Sequence, residues 1–135
     1  MNPMSLDAPH VVAEVRRHFE AYERAFMAND AEALVGFFWA DPRLTRYGIA
    51  DRQFGIDEMR AYRLAQPAPA FTRRIENLRV TAFGNDMAFA LAEFVRSDTP
   101  LRGFQSQTWV RFDGPVGWRI VAAHVSMIPF EAGSS

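Results

Sequence analysis

The chain has 135 residues, with 15 arginines, 16 acidic residues, and neither cysteine nor lysine. Without cysteine there are no disulfides, thiol nucleophiles or cysteine-built zinc sites, and without lysine there is no Schiff-base or lysine general-base chemistry. A net charge of −1 with dispersed arginines argues against nucleic acid or an anionic membrane as partner, and no apolar run is long enough to span a bilayer.

Length predicts a single domain over 1–135, burying roughly two-thirds of its unfolded surface, with loose ends at about 1–8 and 130–135. Met1 to Asp7 lacks a cationic start followed by an apolar stretch, so a soluble cytoplasmic protein is expected.

From Pro9 to about Ala28, Val12, Val15, Phe19, Tyr22 and Phe26 recur at steps of three and four, one face of a helix that stops at the turn Asn29-Asp30. Asp30 can cap a shorter helix carrying Leu34, Phe37 and Phe38. A strand from Arg43 to Tyr47 turns at Gly48 and returns through Gln53-Phe54, and Gly55 opens a third helix ending before Pro67. Beyond Pro69 the segments 71–83, 87–96, 102–112 and 118–128 alternate or run apolar, separated by turn compositions such as Gly84-Asn85-Asp86 and Gly114-Pro115. Helices first and an antiparallel meander afterwards predict an α+β domain whose curved sheet packs on the long helix. Ala88, Ala90 and Ala92 share one strand face and can either let a helix approach closely or leave space above it, with Trp39, Trp109 and Trp118 as candidate walls of a pocket.

Several polar residues fall where that pocket would be. Tyr22 lies within the long helix's apolar stripe, so its phenol needs either a backbone carbonyl or a ligand. Arg46 shares a face with Leu44, and a guanidinium pointing inward needs an anion; Glu93 in an internal pair is one candidate and a substrate carboxylate the other. Arg60 and Arg63 share a helical stripe with Ile56 and Met59, able either to reach the cavity rim or to lie solvated with their stems on apolar surface. His124 and Ser126 share a face with Trp118 and Ile120 in strict alternation and are read as polar lining, since two residues spaced two apart on a strand make poor triad geometry. His10 and His18 fall in the first helix and are read as surface residues. Gln105, Gln107 and Trp109 oppose Ser106 and Thr108, so only one of the two sets can face the pocket.

Arg46-Tyr47-Gly48, Phe54-Gly55, Gln105-Ser106-Gln107-Thr108-Trp109 and Gly117 to Ser126 together resemble the AtzH/HpxZ-type family of the cone-shaped nuclear transport factor 2-like superfamily, and the element order matches over nearly the whole chain. The match lies nearer the cyanuric-acid branch; Phe104 stands where an arginine is expected in the oxalurate-type motif. The resemblance implies a metal-independent amidohydrolase with no cofactor. Its substrate would be a small anionic urea derivative, 1,3-dicarboxyurea, converted to allophanate by hydrolytic loss of one N-carboxyl group. Tyr22 and Arg46 would be catalytic, and Trp39, Arg63, Gln107, Trp109, His124 and Ser126 would bind substrate. It also implies a homodimer and possible association with an amidase-signature hydrolase; a non-catalytic accessory protein working with that hydrolase is the other reading.

Overall fold

The computed structural model describes residues 4–130. Three helices, α1 (Pro9–Met27), α2 (Ala31–Gly36) and α3 (Ile56–Ala65), pack on a six-stranded sheet of β1 (Thr45–Tyr47), β2 (Arg52–Phe54), β3 (Arg73–Phe83), β4 (Met87–Arg96), β5 (Arg102–Phe112) and β6 (Gly117–Ile128). The strand order is β2-β1-β6-β5-β4-β3, antiparallel throughout except where β1 joins β6 in parallel. Among the described residues no helix is long and apolar enough to cross a membrane.

The predicted helix over Pro9 to Ala28 forms, and Val11, Val15, Phe19 and Tyr22 are its buried residues. The alanines of β4 let this helix approach the sheet: Ala88, Ala90 and Ala92 are buried, as is Ala82 on β3, while Met87 and Leu91 on the opposite face are exposed. Asp30 caps α2 by accepting from the Ala33 amide at 3.2 Å. Residues 1–3 and 131–135 of the expected loose ends lie outside the described residues. Ser5 to Asp7, also expected to be loose, are held against the end of β3: Asp7 N–H donates to Ala82 O at 2.9 Å, and Asp7 Oδ1 accepts from Ala82 N–H at 2.9 Å.

The sheet's curvature has two visible sources. Between Glu76 and Arg79 the β3–β4 register slips, with Asn77 at φ 53°. In β6 the partners jump from Trp109↔Ile120 to Thr108↔Ala122, leaving Val121 as a bulge. A bulge adds one residue to a period of two, so every side chain beyond it changes face. Trp118 and Ile120 point to the core, and past the bulge Ala123 and Val125 take over that face, while His124 turns outward against Tyr47 with ring centroids 6.2 Å apart. Strict alternation therefore misplaces His124 and Ser126.

Gly103 makes room for the ring of its neighbour on the next strand. A Cβ there would lie inside the ring of Phe94, its cross-strand partner, which is itself 1% exposed and has nowhere to move. Gly103→Ala is expected to cost about 1–3 kcal/mol in urea unfolding, the usual penalty of overpacking a filled site. Combining it with Phe94→Leu should recover part of that loss; an unchanged unfolding midpoint for Gly103→Ala would contradict the packing described.

Candidate active site

The site begins with α1 and α3. Spacings of three and four put Ile56, Met59 and Arg63 on the inward stripe of α3, so the same periodicity that buries Met59 carries the Arg63 guanidinium inside. Arg63 Nη2 donates to the Tyr22 phenol oxygen at 3.1 Å, joining two helices 41 residues apart in sequence. The Tyr22 ring is fixed by the edges of Phe37 and Phe38, with centroids 5.8 and 6.0 Å away. Its oxygen accepts from Arg63, which leaves its own hydrogen for a ligand.

A second cluster comes from the β1–β2 hairpin. Arg46 and Gln53 are direct cross-strand partners, both buried on the inner face. Arg46 Nη1 donates to Gln53 Oε1 at 2.9 Å and to Asp51 Oδ1 at 2.8 Å; Gln53 Nε2 donates to Asp51 Oδ1 at 2.9 Å, and the Tyr62 hydroxyl reaches Asp51 Oδ2 at 3.2 Å. The Tyr62 ring lies 5.3 Å from the Arg46 guanidinium carbon. Gly48 makes this possible, because a Cβ on it would collide with the Asp51 carboxylate and Arg46 Nη1. All of the Arg46 bonds run through Nη1, so the rest of its fork is uncommitted.

The sheet supplies the third side. Gln105, Gln107 and Trp109 face inward along β5, with Gln107 beside Ala123 of β6. Trp109 Nε1 donates to Gln107 Oε1 at 3.1 Å, which fixes the amide so that its NH2 end stays free. Gln105 Nε2 donates to Glu23 Oε1 at 3.2 Å, and Glu23 holds Arg73 through two bonds of 2.6 and 2.9 Å. These elements enclose a cavity of about 410 Å³, within the range of small-molecule sites, into which Tyr22, Arg46, Arg63 and Gln107 all project. Segment 66–71 forms part of its mouth. Uncommitted donors on its walls are the Tyr22 O–H, the Gln107 NH2, and N–H groups of Arg46 and Arg63; Gln105 Oε1 and the side-chain amides of Asn29 and Gln66 are free as well.

The structure thus gathers four of the eight residues named from sequence and sends four elsewhere. Trp39 lies at the far end of β5, stacked on Phe112 at 5.7 Å, with the Arg43 guanidinium carbon 4.8 Å from its ring centroid. Trp109 is fully buried beneath the cavity and acts on it only through Gln107. Trp118, the third suggested wall, is buried against α1 with its Nε1 donating to Glu14 at 2.9 Å. His124 and Ser126 line a separate hollow of about 330 Å³ on the outer sheet face, the consequence of the Val121 bulge. The suggested Arg46–Glu93 pair does not form, because Glu93 shares the outer face of β4 with Met87 and Leu91 and pairs there with Arg102 at 2.6 Å. Arg60 is solvated beside Glu32, whereas Arg63 is not: the two are three apart on α3, but only Arg63 follows Met59 by a full turn. His18, read as a surface residue, is half-buried against Trp109 at 5.8 Å; burial, then the charges of Arg119 and Arg17, lower its pKa.

Asp51, Gln53, Tyr62, Glu23 and Arg73 escaped the sequence reading. The hairpin offered a signal: counting outward from the turn pairs Arg46 with Gln53, which makes Asp51 the adjacent acid. Glu23 and Arg73 lie 50 residues apart, and no local pattern joins them.

Burial raises the proton affinity of Asp51, but the Gln53 amide, the charge and hydrogen bond of Arg46, and the Tyr62 hydroxyl more than offset it, holding the carboxyl below its ordinary 3.8. A folded-state pKa below the unfolded one means this network adds stability above about pH 4, lost as pH falls through the lowered value. In urea unfolding at stepped pH, Asp51→Asn is expected to remove that part of the acid destabilisation and to flatten the curve below about pH 4. Parallel curves for the two proteins would contradict the network's role.

Comparison with known proteins places this geometry. The chain is similar to a cystatin-like fold protein from Burkholderia xenovorans LB400, at 44% identity, TM-score 0.90, and coverage of 95% of this chain and 99% of that one. It is also similar to a protein of unknown function from the DUF3225 family of Pectobacterium atrosepticum, at 43% identity, TM-score 0.86 and coverage of 91% and 94%. A nuclear transport factor 2-like superfamily protein from Salmonella enterica, 20% identical with TM-score 0.69 and coverage of 93% and 96%, shares the fold. No curated protein matches. The AtzH-like family model matches residues 4–131, nearly the whole sequence, and the chain belongs to the AtzH-like family.

Proposed function

We propose that the protein is a metal-independent amidohydrolase that removes one N-carboxyl group from 1,3-dicarboxyurea, with Tyr22 and Arg46 as catalytic residues. The observation that carries this reading is the set of donors left free beside one another in the cavity: the Tyr22 O–H, the Gln107 NH2 and N–H groups of Arg46 and Arg63. A flat dianion with two carboxylates around a carbonyl offers only acceptors along its oxygens, so the two are complementary.

In this reading Arg46 holds a carboxylate with the N–H groups that Asp51 and Gln53 leave free, and opposes the charge that builds on the oxygens of the attacked carbon. Water adds to that carbon and the C–N bond breaks. Tyr22 gives its proton to the departing nitrogen and regains one from the added water, so that the dianion and water become allophanate and bicarbonate with charge conserved. The hydrogen bond from Arg63 steadies the phenol oxygen while it is short of its proton. Gln107, its amide turned by Trp109, supplies donors to the urea carbonyl.

The outer sheet face supports a second proposal, a homodimer: Met87, Leu91 and Ile128 are exposed there and Phe104 meets Phe130 edge-on, with centroids 5.5 Å apart. Light scattering is expected to give twice the chain mass, and a monomer would contradict it.

Turnover is tested by following allophanate by mass spectrometry from dicarboxyurea generated in situ, against a protein-free control. Tyr22→Phe is expected to bind ligand but to lose about 10²–10⁴-fold in kcat, the range for removal of a general acid. Arg46→Gln is expected to lose about 10²–10³-fold and to raise KM as well. If both variants match the wild type, and all match the control, the chain is an accessory protein holding an intermediate for another hydrolase.

A further inference from the structure

Four arginines line the cavity, and three of them carry a carboxylate: Arg46 has Asp51, Arg73 has Glu23 and Arg96 has Asp98. Arg63 has none among the described residues, although it is only 6% exposed. Its Nη2 meets a neutral phenol oxygen, and its Nε is closed to solvent with no partner at all, the sole buried side-chain atom so placed among the described residues. The rings of Phe26 and Tyr62, 5.8 and 5.5 Å from its guanidinium carbon, are the other groups the cation meets. Nη1 has no protein partner either.

A lysine in this position could discharge itself, but a guanidinium keeps its charge, and no carboxylate among the described residues compensates it. Elsewhere in this chain arginine forks close on carboxylates: Arg43 on Asp41, Arg73 on Glu23, Arg96 on Asp98. At Arg63 the same fork is presented to a cavity instead.

We infer that Arg63 is the receptor for a carboxylate of the ligand, accepted at its open Nη1 beside the Tyr22 hydroxyl, and that the ligand-free protein is destabilised by this cation until an anion arrives. The inference needs only a carboxylate ligand, not the reaction proposed above. If that reaction holds, Arg46 takes the carboxylate that is attacked and departs, and Arg63 takes the one that stays in allophanate.

Glutarate, a dicarboxylate of similar span, and its neutral diamide glutaramide are suitable probes, measured by calorimetry at neutral pH. The wild type is expected to favour glutarate, and Arg63→Gln to weaken glutarate by about tenfold or more while leaving glutaramide unchanged, the scale of a lost charged hydrogen bond. Arg63→Lys, which keeps the charge but loses the fork, should fall between. The ligand-free Tm separates this role from a structural one: Arg63→Gln is expected to melt at or above the wild-type temperature, because an uncompensated buried charge has been removed. A lower Tm, glutarate binding unchanged by Arg63→Gln, or no preference of the wild type for glutarate over glutaramide would each overturn the inference. Arg63-dependent glutarate binding without any turnover of dicarboxyurea would sink the proposed reaction and leave this site standing. Turnover at the wild-type rate by Arg63→Gln would sink this site, and the support assigned to Arg63 for the Tyr22 phenol with it, while leaving the reaction itself standing.

Discussion

A permanently charged guanidinium held away from water is the constraint around which this cavity is arranged. Arginine cannot neutralise itself, so each one brought inside must find an anion or wait for one. Glu23 answers Arg73 and Asp51 answers Arg46, and each carboxylate is in turn fixed by an amide, from Gln105 or Gln53. These internal pairs use up the carboxylates of Glu23 and Asp51. Beside Tyr22 this leaves a set of free donors and one unmatched charge on Arg63, a combination that suits an anionic ligand.

The backbone makes that arrangement affordable. Two irregularities in otherwise regular strands, at Asn77 in β3 and Val121 in β6, bend the sheet and change which residues face inward. Below Val121 the inner face of β6 carries Trp118 and Ile120 and is closed by packing; above it come Ala123 and Val125, small enough to leave room for a ligand. One extra residue thus separates a dry half of the sheet from a hollow half. Gly48 does the equivalent work at the hairpin, where its missing side chain is the space that the Arg46–Asp51 pair occupies.

The elements were legible in the sequence because they rest on local signals: apolar steps of three and four in α1, the Asp30 cap, and turns rich in glycine, asparagine and proline between strands. Tyr22, Arg46 and Gln107 could be found for the same reason, each lying in phase with apolar neighbours on an element of regular period. His124 and Ser126 were assigned to the wrong face because a bulge leaves no mark in composition, and Val121 is an ordinary strand residue. The tryptophans failed differently: aromatic size predicts burial, and Trp109 and Trp118 are buried, but size does not distinguish a pocket wall from the core behind it. The partnerships of Glu23 with Arg73 and of Arg63 with Tyr22 join residues 50 and 41 positions apart, and depend on tertiary packing that no window of sequence contains.

The central claim is that this donor-lined pocket breaks the C–N bond of an N-carboxylated urea. Its most direct test is the rate at which 1,3-dicarboxyurea disappears at neutral pH with and without the wild-type protein, allophanate and bicarbonate being measured together. Decay is expected to accelerate in proportion to protein concentration, with one bicarbonate released per allophanate. Decay at the protein-free rate, at protein concentrations where the pocket is demonstrably occupied, would contradict it.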